Sequence, residues 1–381
     1  MVKFVALPVG QGDAFYLERE GFSVLVDGGK SRSAISGFVS NIAKINQLDV
    51  IVCTHNDADH ANGVIGLLEN WSGTVNEVWL PGSWTYRLAE LLTKPAEFCR
   101  ELVENVRGLD GETSTLESIK CSSIDLADGE KPNPDEVTLD VIFGDASEYL
   151  DHPFERLLDW RVFELFFYHC LFRLHHLSPN TCNLFFDAIK TADRIRKIAL
   201  LAYHRGCKIR FFEFGPENYG GLTGKLEPVN SKEIVQIRKK TINALTYLAL
   251  STSNKESLVF FAPESKAAPS VLFAADSDLN FGLPAAAPNR SVIVTAPHHG
   301  SDQNRDAYHQ VSSWLLSNKV QPIWIRSDCK SKSRPGSSFK GETAKTCTLC
   351  NCGVHPKQTV KCHTRLGKWQ FTRGTRRCSC K

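Results

Sequence analysis

Residues 49–63 read Asp-Val-Ile-Val-Cys-Thr-His-Asn-Asp-Ala-Asp-His-Ala-Asn-Gly. Val50 to Cys53 is short, β-branched and bounded by polar residues, which predicts a buried strand. His55, Asp57, Asp59 and His60 follow it, four potential ligands within six residues. A strand running into a loop presents such side chains to the crevice where sheet folds hold ligands. Imidazole with carboxylate suits zinc, manganese or iron. An Asx-rich loop alone would only cap the next helix. Four ligand types behind one apolar strand favour a metal site.

Upstream, residues 2–9 and 14–18 read as strands joined by the turn Gly10-Gln11-Gly12-Asp13, and Phe22 to Val26 is a third strand ending in Asp27-Gly28-Gly29. Residues 31–47 carry the spacing of an amphipathic helix, with another beginning at Asn62 and a third over 85–107. Val75 to Leu80, Val137 to Phe143 and Ile209 to Phe214 read as further strands. Downstream, Asn254 to Phe261 is followed by Val271-Leu272-Phe273-Ala274-Ala275-Asp276, with Asp278 just beyond. Val292 to Ala296 then runs into Pro297-His298-His299-Gly300-Ser301.

In this order the segments resemble the metallo-β-lactamase family. His55-x-Asp57-x-Asp59-His60 is similar to its His-x-His-x-Asp-His loop. The Gly-Gln-Gly-Asp turn, the Asp at position 57 and His-His-Gly-Ser are closest to the domain of that kind in ComEC-type DNA-uptake proteins. The resemblance spans residues 2–327. It implies an α+β fold, an αββα sandwich of two mixed sheets flanked by helices. It implies a site of one or two divalent ions, manganese or zinc, held by His55, Asp57, Asp59, His60, Asp276 and His299. Asp27 and Asp13 would support these ligands from behind, Asp27 by orienting a histidine. Asp59 is the expected proton acceptor from a metal-activated water, with His298 and Ser301 steadying the transition state. A further histidine ligand usual in the fold has no clear counterpart; His152 and His204 are the only strays. Asp57 in place of a histidine adds oxygen ligation and shifts preference toward manganese or magnesium.

The 381 residues are 42% hydrophobic and 23% charged, ordinary for a globular protein, with net charge +3. The charge is unevenly spread: residues 319–381 hold fifteen Lys and Arg against two Asp and Glu. Trp160 to Leu177 is the most apolar run, but Arg161, Glu164 and Arg173 interrupt it, so no membrane span is expected. No secretory leader is evident, and six of the thirteen cysteines lie after Lys345. A cytoplasmic protein with a metal-binding tail is therefore expected rather than a disulfide framework.

The expected organisation is a hydrolase domain over 1–330 with a helical insertion near 150–207, and a basic, Cys-rich zinc module over 331–381. The insertion is also a candidate surface for a protein partner. The candidate structural zinc ligands are Cys347, Cys350, Cys352, His355, Cys362, His363, Cys378 and Cys380, with no assignment among them possible from spacing. Basic residues around Trp369 and Phe371 suit nucleic acid, where charge and base stacking combine. The function expected is metal-assisted hydrolysis of a phosphodiester, with nucleic acid or another phosphate-containing substrate. The alternatives are hydrolysis of a thioester, lactone or small phosphate ester on the same fold, and a non-catalytic metal-bearing adaptor.

Overall fold

The apolar runs singled out above pair into two sheets. The structure is a computed structural model in which residues 2–109, 115–119, 178–215, 224–234, 241–328, 333–349, 357–378 and 380 are described. They form two units, one of residues 1–81, 205–233 and 254–381, the other of 82–204 and 234–253.

The first sheet contains β1 (Lys3–Ala6), β2 (Phe15–Arg19), β3 (Phe22–Val26), β4 (Gln47–Val52), β5 (Thr74–Pro81), β6 (Lys208–Phe214), β8 (Ser231–Ile234), β14 (Val360–Arg365) and β15 (Lys368–Phe371). Their order is β15-β14-β1-β2-β3-β4-β5-β6-β8. Strands from β15 to β3 pair antiparallel and those from β3 to β6 parallel. The second sheet contains β7 (Glu227–Pro228), β9 (Phe260–Ala262), β10 (Ser270–Phe273), β11 (Val292–Thr295), β12 (Pro322–Arg326) and β13 (Lys345–Cys347), in the order β13-β12-β11-β10-β9-β7.

The sheets face each other across one core. Phe4 of β1 is fully buried, its ring 5.9 Å from Phe15, 6.2 Å from Phe273 and 6.4 Å from Trp369. Val24, Val26, Val50 and Val52 point into this core, while Leu25 and Ile51 point the other way and are equally buried. Both faces are thus covered, as parallel strands require. The helix Ala58–Asn70 is the crossover that joins parallel β4 and β5. On the second sheet, the helix Arg305–Leu316 lays Tyr308, Val311 and Leu315 into a second core with Trp324. This mixed α/β architecture with large sheets is consistent with a helix–sheet–sheet–helix sandwich.

Several expectations are corrected. The helix expected to begin at Asn62 begins at Ala58, so Asp59 and His60 lie in its first turn. The segment 31–47 holds only a short helix, Ile35–Phe38, and a π-turn over Val39–Ala43. Residues 85–107 form two helices, Leu88–Thr93 and Pro95–Arg107, because Pro95 has no N–H to continue the first and is well placed to begin the second. The second unit is larger than the insertion expected near 150–207. Its described helices also include Pro179–His204 and Ala244–Ser251, and Tyr247 donates to the Trp84 carbonyl at 2.8 Å. The described residues of 331–381 join the first unit. β13 pairs with β12 and β14 with β1, so the tail is part of both sheets. Trp369 lies in the sandwich core with its indole donating to the Ser270 carbonyl at 2.8 Å, and Phe371 packs against that core, so neither is offered to a base. The expected strand Val137 to Phe143 and residues 150–177 lie outside the described residues.

One close approach fixes the crossover helix. A Cβ on Gly63 would lie 1.9 Å from the Gly28 carbonyl oxygen, and the Gly63 N–H donates to the Gly29 carbonyl at 2.8 Å. Gly63→Ala is expected to destabilise the protein by about 1–3 kcal/mol or more, since the backbone on both sides must yield. A lowered urea midpoint checks this; an unchanged midpoint would mean that the helix is free to move outward.

Candidate metal centre

The segments that follow β4 in one sheet and β10 and β11 in the other bring His55, His60, Asp276 and the paired histidines into one crevice. His55, His60, Asp276 and His299 are all buried. Four imidazoles surround the Asp276 carboxylate. Its Oδ1 is 3.2 Å from His60 Nε2, and its Oδ2 is 3.6 Å from His299 Nε2, 3.7 Å from His298 Nε2 and 3.9 Å from His55 Nε2.

The other ring nitrogen of each imidazole is engaged behind it. His60 Nδ1 meets Asp27 Oδ2 at 2.8 Å and His299 Nδ1 meets Asp13 Oδ1 at 3.0 Å. Because carboxylates accept, both Nδ1 atoms carry the proton. Thr54 Oγ1 donates to Asp27 Oδ2 at 2.8 Å, so it accepts from His55 Nδ1 at 3.1 Å. His298 Nδ1 lies 3.1 Å from Asn304 Oδ1, while Asn304 Nδ2 donates to the Asp276 carbonyl at 2.8 Å. This network turns every Nε2 inward, toward Asp276.

The inward nitrogens lie close together. His60 Nε2 and His299 Nε2 are 3.2 Å apart. The buried atoms Asp13 Oδ2, His55 Nε2 and Asp276 Oδ1 have no hydrogen-bond partner among the described residues. Buried polar atoms are seldom left so. A bound cation satisfies them together, and Asp13, His60, Asp276 and His299 each bring a ligand atom within 4.8 Å of the others. The residues therefore fit a divalent ion of the imidazole- and carboxylate-loving class.

The charges point the same way. Burial would lower the pKa values of His60 and His299, but the Asp276 carboxylate, with Asp27 and Asp13 respectively, outweighs it and holds both well above the ordinary imidazole value. Burial would likewise raise Asp276 and Asp59. The His299 and His60 charges hold Asp276 well below the usual carboxylate range, and the His299 contact does the same for Asp59. Asp13 goes up, because its burial dominates.

The backbone that carries these groups is strained. His298, His299 and Gly300 have successive φ values of 46°, 54° and 82°. Three hydrogen bonds hold this turn: His298 N to the Ala275 carbonyl at 3.0 Å, Arg326 Nε to the His299 carbonyl at 2.6 Å, and Gly336 N to the Gly300 carbonyl at 2.8 Å. Non-glycine residues persist at positive φ only where surroundings over-determine them. Gly12 is similar: its φ is 91°, a Cβ there would sit 1.7 Å from the Asp59 carbonyl oxygen, and Asp13 N donates to that same oxygen at 3.2 Å.

Of the expected site residues, His55, Asp59, His60, Asp276, His298 and His299 converge. Asp57, 28% exposed, stands 3.7 Å from His55 Nε2 at the cleft. Asp13, expected as a support, also offers a ligand atom. Asp278 is set apart, accepting from Asn280 N. His204 lies in the other unit and His152 outside the described residues. Sequence reading missed Thr54, Asn304 and the pair Arg326–Asp328. Arg326 and Asp328 are fully buried 2.9 Å apart, and Asp328 Oδ1 accepts from Gly12 N at 3.2 Å. One ion pair thus braces both the Gly-Gln-Gly-Asp turn and the His299 carbonyl. Its only signal was Arg-Ser-Asp at the end of an apolar strand. A cleft of about 500 Å³ opens over the centre, lined by Asp57, Asp59, His298, Ser301, Gln303 and Arg334 among others.

In the tail, Cys347, Cys378 and Cys380 come together, whereas Cys362 does not join them. Alternation along β14 turns Cys362 into the sandwich core, and burial pushes its thiol up to about 12. His363, on the other face, has Nδ1 3.4 Å from Thr372 Oγ1. Cys350, Cys352 and His355 lie outside the described residues.

Comparison with known proteins agrees for the N-terminal part. Residues 7–84 match the model of the metallo-beta-lactamase superfamily, a span that holds Asp13, Asp27 and the His55–His60 segment. A stretch of 79 residues is 34% identical to microtubule-associated protein 1A of Rattus norvegicus, Mus musculus and Homo sapiens. That stretch is 21% of this chain and 3% of each of those proteins, so the chain matches only a small part of their length. A solved structure, Tm1679, a metal-dependent hydrolase of the beta-lactamase superfamily, aligns over 96% of this chain and 99% of its own at 11% identity and a TM-score of 0.38.

Asp27 holds His60 directly and His55 through Thr54. Asp27→Asn is expected to weaken metal binding by about 10- to 100-fold, as loss of a histidine's supporting carboxylate does. Titration with zinc against a competing chelator measures it. In the wild type, affinity is expected to fall as the pH is lowered, because protons compete for imidazoles whose pKa values are already raised.

Proposed function

We propose that this chain is a metal-dependent hydrolase that cleaves phosphodiesters, with nucleic acid as its substrate class. The observation that carries the reading is the convergence of four imidazole Nε2 atoms on the buried Asp276 carboxylate beneath an open, polar cleft. His55, His60, Asp276 and His299 would hold the metal, zinc or manganese, with Asp13, Asp57 and Asp59 close enough to complete one site or share a second. When bound, such an ion acidifies a water and polarises a substrate oxygen.

The chain's own groups do the rest. Asp59, held ionised by its His299 contact, is available to accept a hydrogen bond that orients the attacking water. Asn304 fixes the His298 ring, leaving Nε2 to face the cleft. Ser301 Oγ accepts from Gln303 N at 3.2 Å, which keeps its own proton for an anionic substrate oxygen. Arg334, which lines the cleft, adds positive charge there.

Two further observations support a phosphate substrate. Among the described lining residues there is no Phe, Tyr or Trp, as a site for an apolar ester would favour. Arg365, Lys368, Arg373, Arg376 and Arg377 are exposed on the same unit, whose motifs resemble the ComEC-type domain.

Labelled single- and double-stranded DNA and RNA, incubated with the protein in Mn²⁺ or Zn²⁺, test the proposal. Cleavage is expected for the wild type and none above background for Asp59→Ala/His60→Ala. Substrate affinity is expected to fall steeply with salt, by about 10³-fold between about 50 and 200 mM if six phosphates are met. Hydrolysis of small esters only, insensitive to salt, would overturn the nucleic-acid reading. Absence of all hydrolysis in metal-loaded protein would overturn the enzyme.

A further inference from the structure

We propose that Cys347, Cys378 and Cys380 form a second, structural zinc site that fastens the end of the described chain to β13. The three sulfurs lie within 4.8 Å of one another, although thirty residues separate Cys347 from Cys378. Tetrahedral zinc with bonds of about 2.3 Å spaces its thiolates about 3.8 Å apart, which this gathering accommodates. A disulfide joins two sulfurs and gives the third no role.

The surroundings are built to hold the two segments together. Cys378 N donates to the Lys345 carbonyl at 3.3 Å, holding residues 376–378 beside β13. Gln358 Nε2 donates to the Cys347 and Arg376 carbonyls, each at 2.9 Å, and its Oε1 accepts from Arg376 N at 2.9 Å. Thr346 Oγ1 donates to the Arg376 carbonyl at 2.8 Å. Cys347 and Cys380 are buried, and Cys380 N donates to Cys378 Sγ at 3.3 Å, a hydrogen bond that favours the thiolate. Lys345, Arg376 and Arg377 adjoin the cysteines in sequence and balance the excess negative charge of three thiolates on one dication. The fourth position of the ion is left to a ligand outside the triad.

The site shares no residue with the Asp276 centre. Its place is at the edge of the second sheet, where β13 would otherwise present an unpaired strand. The clasp also lies next to the machinery of the other centre. Thr348 N donates to the Arg326 carbonyl at 3.0 Å, and Arg326 Nη1 donates to the Leu349 carbonyl at 3.3 Å.

Cobalt substitution of the full-length, reduced protein tests the assignment by absorption spectroscopy. A sulfur-to-cobalt charge-transfer band is expected in the wild type and in His60→Ala/Asp276→Ala, and not in Cys378→Ser/Cys380→Ser. No such band in the wild type, or a band that survives in the double serine variant, overturns the site. Should that variant fail to fold, alkylation of the native wild type decides, with labelled cysteines mapped by peptide mass spectrometry. Zinc is expected to slow labelling of Cys347, Cys378 and Cys380, and chelation to restore it. Equal rates with and without zinc overturn the proposal.

Discussion

Four imidazole lone pairs and a carboxylate cannot share a buried crevice without positive charge between them. That constraint organises this protein. Each Nε2 atom faces inward because its Nδ1 proton is committed outward, to Asp27, Asp13, Thr54 or Asn304. Those four partners come from separate stretches of chain. Packing of the two sheets against one core is what brings them together, since β3 and β4 lie in one sheet and β10 and β11 in the other. In the metal-free centre protons on His60 and His299 supply that positive charge, and a metal ion would have to displace them.

Hydrogen bonds to the backbone hold the centre as firmly as side-chain contacts do. Asp27, Ala275, His298 and His299 all have positive φ. Each stands at or just beyond the C-terminal end of a strand, where the chain must leave the sheet within one or two residues and still aim a side chain back at the crevice. Arg326 holds the His299 departure, and Asp328 holds the turn at Gly12. A buried ion pair of this kind contributes little net stability, but losing one partner leaves an uncompensated charge. Its value here is the fixed position of a carbonyl and an amide.

Residues named from the sequence lie together in the structure where the chemistry is local. The His55–His60 segment, the Asp after Ala275 and the paired histidines each end an apolar run, and strand ends converge in this kind of fold. The reading of the sequence failed where a residue's role is set by distant partners. Cys362 and Trp369 looked like parts of a metal knuckle and a nucleic-acid surface, yet β14 and β15 pair onto β1 and turn both into the core. Nothing within residues 331–381 encodes that pairing. Thr54 and Asn304 were invisible because a hydroxyl and an amide carry no signal until the histidines they hold are in place. The helical unit was undersized because its pieces are split by β6 and its neighbours.

The pairing of β1 with β14 also sets a clock. Lys3 lies opposite His363, so the strand leading into the Gly-Gln-Gly-Asp turn acquires one of its two neighbours only from the far end of the chain. Residues 3–6 must wait for residues 360–363 before this part of the sheet is complete. Closing so long a loop costs more chain entropy than any other pairing of this sheet. Asp13, which holds His299, stands in the turn between β1 and β2. Without β14, β1 would keep β2 as its one neighbour, and the turn that carries Asp13 would lose part of its support.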